Sequence, residues 1–271
     1  MEAKIIADSV SQAGARITTL QLKYPRFIHA EFMTHRLFSR NASSSRAIPV
    51  KKMLSQVWND PAMPIHWGAN KSGMQADVEL KGFKKRAAKT LWRTASKAAC
   101  SVAWLMMHLG LHKQVANRIL EPFQYIHVIV TATEWDNFLA LRAHPAAQPE
   151  IHELAIHIKK ALDGSKPKLL KAGKWHLPYL TDQEIQDFAW IGQMETALKV
   201  SAARCARVSY LRHDGGKPKV SEDVSLYSRL IDSIPMHASP IEHQARPLSD
   251  KNEWSGNFKG WEQNRKRIEK E

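Results

Sequence analysis

The sequence predicts an α+β protein, helix-rich, with one small sheet. Three observations predict it. Short β-branched runs stand at residues 3–9, 16–23 and 125–133. Several longer stretches carry apolar residues at three- and four-residue spacing, the period of a helix with one buried face. No break in composition marks a domain boundary across the 271 residues, so a single domain, 1–271, is expected.

The elements follow in order. Residues 3–9 and 16–23 read as strands, the second closed by Pro25. Residues 26–35 read as a helix with Phe27, Ile28, Phe32 and Met33 along one face. Residues 39–45, Ser-Arg-Asn-Ala-Ser-Ser-Ser, read as a polar loop. A short helix is expected over 50–58, then a Pro/Gly-rich connector over 60–73. The longest helix is expected over 77–109, where Phe83, Ala87, Leu91, Ala95, Ala98, Val102, Leu105 and Leu109 keep helical spacing and Gly110 is a plausible stop. A further helix begins near His112 and ends before Pro122. Residues 125–133 form a strand, 134–142 a helix, and 148–162 another. Residues 163–175 read as a basic loop. Helices follow near 182–190, 193–208 and 220–232. Residues 235–271 read as irregular and polar.

Formal net charge is +14 with 44% hydrophobic residues. That balance calls for an anionic partner, a nucleic acid or phosphorylated small molecules. Two cysteines, Cys100 and Cys205, with no Cys-x-x-Cys pair, exclude a disulfide framework and a zinc knuckle. Both read as buried structural thiols. Met1 to Val10 lacks the apolar core of a signal peptide. Ala98 to Met107 is too short to cross a bilayer. A cytoplasmic protein with no membrane partner is expected.

The strongest local feature is His35-Arg36, then Ser43-Ser44-Ser45-Arg46. Hydroxyls and turn N–H groups flanked by Arg36 and Arg46 could cradle a phosphate; the competing reading is a solvated loop. No Gly-x-Gly-x-x-Gly follows a strand and no Walker loop is present. His152 and His157 lie five apart, so no metal site is expected. The cations over 81–93 read as a solvated or subunit-interface face more readily than as a nucleic-acid site.

Four segments together resemble the flavin-dependent thymidylate synthases. The first is Thr34-His35-Arg36-Leu37-Phe38-Ser39-Arg40-Asn41-Ala42-Ser43-Ser44-Ser45-Arg46, similar to the family's Arg-His-Arg, spacer, Ser-x-Arg. Thr34 replaces the first arginine and Ala42 a common glutamate. The second is Ala116-Asn117-Arg118-Ile119-Leu120-Glu121-Pro122. The third is Asn137-Phe138-Leu139-Ala140-Leu141-Arg142 with Ala147-Gln148-Pro149-Glu150-Ile151, the most specific match. The fourth joins Ala203-Arg204-Cys205-Ala206-Arg207-Val208-Ser209-Tyr210 to His237-Ala238-Ser239-Pro240-Ile241-Glu242-His243. In the usual family order these pieces are N-terminal, so residues 195–247 look circularly permuted.

The resemblance implies a central twisted β-sheet flanked by helices, a homotetramer with sites between subunits, FAD as cofactor, and NADPH and methylenetetrahydrofolate as co-substrates for methylation of dUMP to dTMP. It assigns Arg142, Ser44 and His35 to catalysis. Glu31, Ser44, Ser45, Arg46, Arg118 and Arg142 would bind substrate. His35, Arg36, Asn137, Ser209, His237, Ser239 and Glu242 would hold FAD. Glu31 stands where the family often has glutamine. Two other functions stay open: a dUMP or dCMP 5-hydroxymethyltransferase on the same scaffold, and a non-catalytic nucleic-acid-binding protein.

Overall fold

Two long strands open the chain, β1 (Glu2–Ser11) and β2 (Arg16–Pro25). They form a hairpin whose turn carries Gly14 at φ +86°, a conformation that costs other residues a Cβ clash. The computed structural model describes residues 1–209 and 219–270, the side chain of Ser209 excepted. A 3-10 turn (Arg26–Ile28) leads into α1 (His29–Phe32). The helix expected over 26–35 therefore stops early. Beyond it the chain turns to enter β3 (Ser39–Ala42).

That strand corrects the polar loop expected over 39–45. β3 pairs with β4 from Ser39↔Thr131 to Ala42↔Val128. Its side chains are polar because their partners are polar groups from distant segments, so no alternating apolar pattern announces it. Next come α2 (Val50–Asn59) and α3 (Gly82–His108). The Gly110 stop holds: Gly110 N–H donates to Met107 and Leu111 N–H to Met106, the bonding of a Schellman end. Then follow α4 (Lys113–Ala116), a 3-10 helix (Asn117–Phe123), β4 (Tyr125–Ala132), α5 (Asp136–Arg142) and α6 (Pro149–Asp163). Pro122 lies inside the 3-10 helix rather than beyond it.

The basic loop expected over 163–175 contains β5 (Lys168–Leu170), parallel to the end of β1. After α7 (Asp182–Trp190), α8 (Met194–Ala206) and α9 (Val220–Ile231), the tail is not irregular. It holds a 3-10 turn (Ser239–Glu242), β6 (Ala245–Pro247), β7 (Trp254–Ser255), β8 (Phe258–Lys259), β9 (Trp261–Gln263) and α10 (Asn264–Ile268). Phe258 and Trp261 are fully buried, which the surrounding polar sequence conceals.

The main sheet runs β3-β4-β2-β1-β5. Leu20, Leu22 and Tyr24 of β2 and Ile126, Val128 and Val130 of β4 point to one face, where α1, α5 and α6 cover them with Phe32, Phe138, Ile151, Leu154 and Ile158. Ile129 faces the other side against Cys205 and Val208. Helices on both faces make this a mixed sheet buried at its centre. Met1 packs in the first of these clusters, whereas Ile268 packs beside α8 and α9.

On the α8 face the interior is polar but connected. Hydrogen bonds link Ser9 Oγ to His176 Nδ1 (2.9 Å), His176 Nε2 to Thr19 Oγ1 (2.8 Å), Thr19 to Thr131 (2.7 Å) and Thr131 to His243 Nδ1 (2.8 Å). Burial pushes His176 and His243 down to about 3, so both are neutral links.

Candidate functional site

The first cluster lies where α5 ends against the turn before β3. Arg142, the last residue of α5, donates from Nε to His35 Nε2 at 3.1 Å. Its Nη1 meets Glu31 Oε2 at 3.4 Å and its Nη2 meets Thr34 Oγ1 at 3.5 Å. His35 is 8% exposed, with its ring edge-on to Phe138 at 4.8 Å between centroids. Burial, then the charges of Arg142 and Arg40, hold His35 at about 4. The imidazole is neutral, and because Nε2 accepts from Arg142, its proton sits on Nδ1.

Arg40 sets the backbone of this turn. Its Nη1 donates to the carbonyls of Met33 (2.9 Å), His35 (3.1 Å) and Phe32 (3.4 Å), closing carbonyls that the end of α1 leaves open. Arg40 stands inside the quoted Ser-Arg-Asn stretch, yet no sequence pattern marks it. Only the fold shows three carbonyls converging on it.

The second cluster lies at the far end of β3, three residue steps or roughly 10 Å along the strand. Ser43 N–H donates to the His127 carbonyl at 2.8 Å. Asn117 Nδ2 donates to the carbonyls of Ser45 (2.8 Å) and Ile48 (2.9 Å), pinning the loop. Ser45 Oγ, Arg118 Nη1 and Arg26 Nη2 all meet Glu121 Oε1, at 2.5, 3.0 and 3.1 Å. Ser44 Oγ accepts from the Arg46 N–H at 3.3 Å, and the Arg46 side chain is exposed. The structure thus joins Ser45 to Arg118 from a distant segment through Glu121, with Ser44 and Arg46 flanking Ser45 in the chain. Arg26 and Glu121 belong to the same group; Glu121 lies within the second quoted segment, whereas no motif marks Arg26.

Arg36 and Arg46, expected to flank a phosphate-binding loop, stand before and after β3. β3 lies between them, so Arg36 is exposed on the His35 side and Arg46 on the other. Among the described residues these groups form two hydrogen-bonded clusters, one toward each end of β3.

The C-terminal segments do converge on β3. Asn41 Nδ2 donates to the Cys205 carbonyl at 3.4 Å. Gln263 Nε2 donates to Ser39 Oγ (3.1 Å) and to the Glu242 carbonyl (3.3 Å). Glu242 is held by Arg265 at 2.5 Å, and its charge acts on Arg40. His237 and Ser239 are exposed on the approach to that turn, as Asn137 is on the first turn of α5. The Ser209 side chain lies outside the described residues. Cys205 is fully buried and its thiol is pushed up by burial; Cys100 is buried and shifted the same way. Neither thiol is activated by neighbouring arginines.

A groove of about 600 Å³ between α2 and α3, lined by Leu54, Trp58, Cys100, Trp104 and Leu105 among others, shares no residue with either cluster. Among the described residues no group of three His, Cys, Asp or Glu could hold a metal ion, and no helix is long and apolar enough to cross a membrane.

A family model described as thymidylate synthase complementing protein matches residues 15–168. Among solved structures, the chain is similar to a UMP/dUMP methylase, PolB, from Streptomyces cacaoi. With 5-Br UMP bound, that structure gives a TM-score of 0.50 at 16% identity, covering 70% of this chain and 94% of that one. With 5-Br dUMP bound, it gives a TM-score of 0.45 at 20% identity, covering 54% of this chain and 66% of that one, just under two thirds of its length. No curated protein matches the chain. At these identities the structural likeness concerns the fold.

Proposed function

Because the chain belongs to the thymidylate synthase complementing protein family, we propose that it is an enzyme that transfers a one-carbon unit to C5 of a pyrimidine deoxynucleotide. The reaction is the FAD-dependent, reductive conversion of dUMP to dTMP with methylenetetrahydrofolate and NADPH. The observation that carries this reading is the Arg142–His35 pair, a guanidinium fixed by a neutral imidazole at the open end of α5. The 5-Br UMP bound to the structurally similar UMP/dUMP methylase is likewise a pyrimidine nucleotide.

In this reading Arg142 faces the pyrimidine ring and stabilises the negative charge that builds as C5 becomes nucleophilic. His35 does not itself move a proton near pH 7. It accepts from Arg142 Nε and so sets the plane of the guanidinium. Glu31 holds the far side of the same guanidinium. Ser44, Ser45, Arg46 and Arg118 take the nucleotide phosphate through charge-assisted bonds.

His35, Arg36, Asn137, His237, Ser239 and Glu242 are the residues that would hold the flavin, and Met33, Leu37 and Leu141, chain neighbours of the first cluster, expose apolar surface beside it. Such a set suits a flat ring with an anionic tail, and the flavin when bound would supply the hydride chemistry. The two clusters at the ends of β3 support a site completed by neighbouring copies in a homotetramer.

Thr34 favours a second reading. Where the family carries an arginine, its hydroxyl offers no charge to hold a reduced flavin. A 5-hydroxymethyltransferase, in which water rather than hydride quenches the exocyclic methylene, would tolerate that loss.

The test is an absorbance spectrum of the purified protein, then mass analysis of the product from dUMP and methylenetetrahydrofolate. A yellow protein giving the 5-methyl nucleotide supports the first reading, and the 5-hydroxymethyl nucleotide the second. A colourless protein without product that binds DNA in a salt-sensitive way would sink both. Arg142→Ala should abolish turnover while the far-UV spectrum stays unchanged.

A further inference from the structure

Three donors from three separate segments meet on one oxygen. Ser45 comes from the loop after β3, Arg118 from the 3-10 helix before β4, and Arg26 from the turn after β2. All contact Glu121 Oε1, at 2.5, 3.0 and 3.1 Å. Two guanidinium groups and a hydroxyl converging on a point form the donor set of an oxyanion site. In the free chain the anion is the protein's own carboxylate.

The site is built on one side and open on the other. Ser45 is 2% exposed, and the side chains of Arg26 and Glu121 are 19% and 22% exposed. Arg118, at 53%, reaches solvent. The backbone beneath is fixed, because Asn117 grips the carbonyls of Ser45 and Ile48 and the Arg26 N–H donates to the Gln124 carbonyl at 2.8 Å. Glu121 is the flexible member, since rotation about its own side-chain bonds brings the carboxylate to solvent without moving the donors. A phosphate monoester near neutral pH carries close to two charges and three acceptor oxygens. It can satisfy the three donors together, where Glu121 engages them through a single oxygen.

We propose that Arg26, Arg118 and Ser45 form a phosphate-monoester subsite that Glu121 occupies in the free chain and vacates when the ligand arrives. This rests on the phosphate placement above for Ser45 and Arg118, and it adds Arg26 as a ligand and Glu121 as a displaceable stand-in. Binding then exchanges one anion for a stronger one, and the substrate must outcompete the carboxylate.

The experiment titrates the full-length protein calorimetrically with inorganic phosphate, dUMP and deoxyuridine at low salt. Glu121→Gln should bind phosphate and dUMP about twofold to fivefold more tightly, the worth of one partly exposed charge contact, with deoxyuridine unchanged. Arg26→Met should weaken phosphate and dUMP by a comparable factor and leave deoxyuridine alone. If Glu121→Gln does not fold, Glu121→Asp, whose shorter carboxylate withdraws from the donors, should show the same tightening. Equal or weaker phosphate binding by whichever of the two variants folds makes Glu121 a structural strut and overturns the subsite. Loss of dUMP recognition in every protein, with phosphate still tightened by Glu121→Gln, would instead remove the pyrimidine reading and leave the subsite standing.

Discussion

Arg142 Nε and His35 Nε2 stand 3.1 Å apart, donor to acceptor, joining the end of α5 to the turn that feeds β3. The bond requires a neutral imidazole, and the burial that depresses His35 supplies one. His35→Phe would keep the aromatic contact with Phe138 and remove the acceptor. Turnover should then fall by about 10²-fold through misorientation of Arg142, with melting temperature little changed. Steady-state kinetics beside calorimetry check this, and near-normal kcat in a folded variant would remove His35 from the site.

Stability should fall on mild acidification. His35 and His29 are held at about 4, and His176 and His243 at about 3, with burial the main cause in each. These folded values lie below the ordinary value near 6.5, so the unfolded chain binds protons first. The contribution of these neutral histidines is present above about pH 6.5 and is lost as pH falls toward 4 and then 3. Urea midpoints at pH 7.5, 5.5 and 4.5 should decrease in that order, and a flat profile would contradict the neutral assignment.

Arg40→Met should act on the same turn from beneath. The carbonyls of Phe32, Met33 and His35 lose their common donor, at a cost of about 1–3 kcal/mol. The loss of its positive charge should also let His35 titrate higher, which histidine NMR signals followed through a pH series would report. Arg40→Lys, which restores the charge, should bring the His35 titration back toward that of the unaltered protein.

Thr19→Val removes the central link of the buried polar ladder. His176 Nε2 and Thr131 Oγ1 each lose a partner at 2.8 and 2.7 Å, and burial leaves no water to replace it. Destabilisation of about 1–3 kcal/mol is expected by denaturant unfolding, with the catalytic constants unchanged in the folded protein.

Cys100 and Cys205 should be inert in the native protein. Both are buried, with thiols shifted upward by burial, so neither presents a thiolate. Maleimide labelling should require urea. The Cys100→Ala, Cys205→Ala double variant should retain turnover in whatever fraction folds. Activity lost from a well-folded double variant would bring a cysteine nucleophile back.

Local chemistry made much of this molecule legible. The β1–β2 hairpin, β4, α2, α6 and the Gly110 stop rest on periodicity, turn residues and caps within one segment, and they form close to where the sequence puts them. α3 starts at Gly82 rather than at residue 77, because Gly82 at φ +54° turns the chain there.

The residues near the site were legible as types and not as a site. His35, Ser44, Ser45, Arg46, Arg118 and Arg142 were readable from quoted stretches, but nothing local says that β3 divides them into two groups. β3 and β5 escaped notice because their partners are distant in sequence: a four-residue polar strand gains its stability from β4 on one side and from Gln263 and Asn257 more than two hundred residues away. The same holds for Arg40, whose role depends on three carbonyls pointing at one place, and for Glu121, whose carboxylate collects donors from three segments. The sequence by itself determined most of the long helices and strands, and which chemical groups the protein carries. The tertiary structure decided which of those groups meet, because hydrogen bonds and charge contacts act over a few ångströms while the residues that make them are spread along the whole chain.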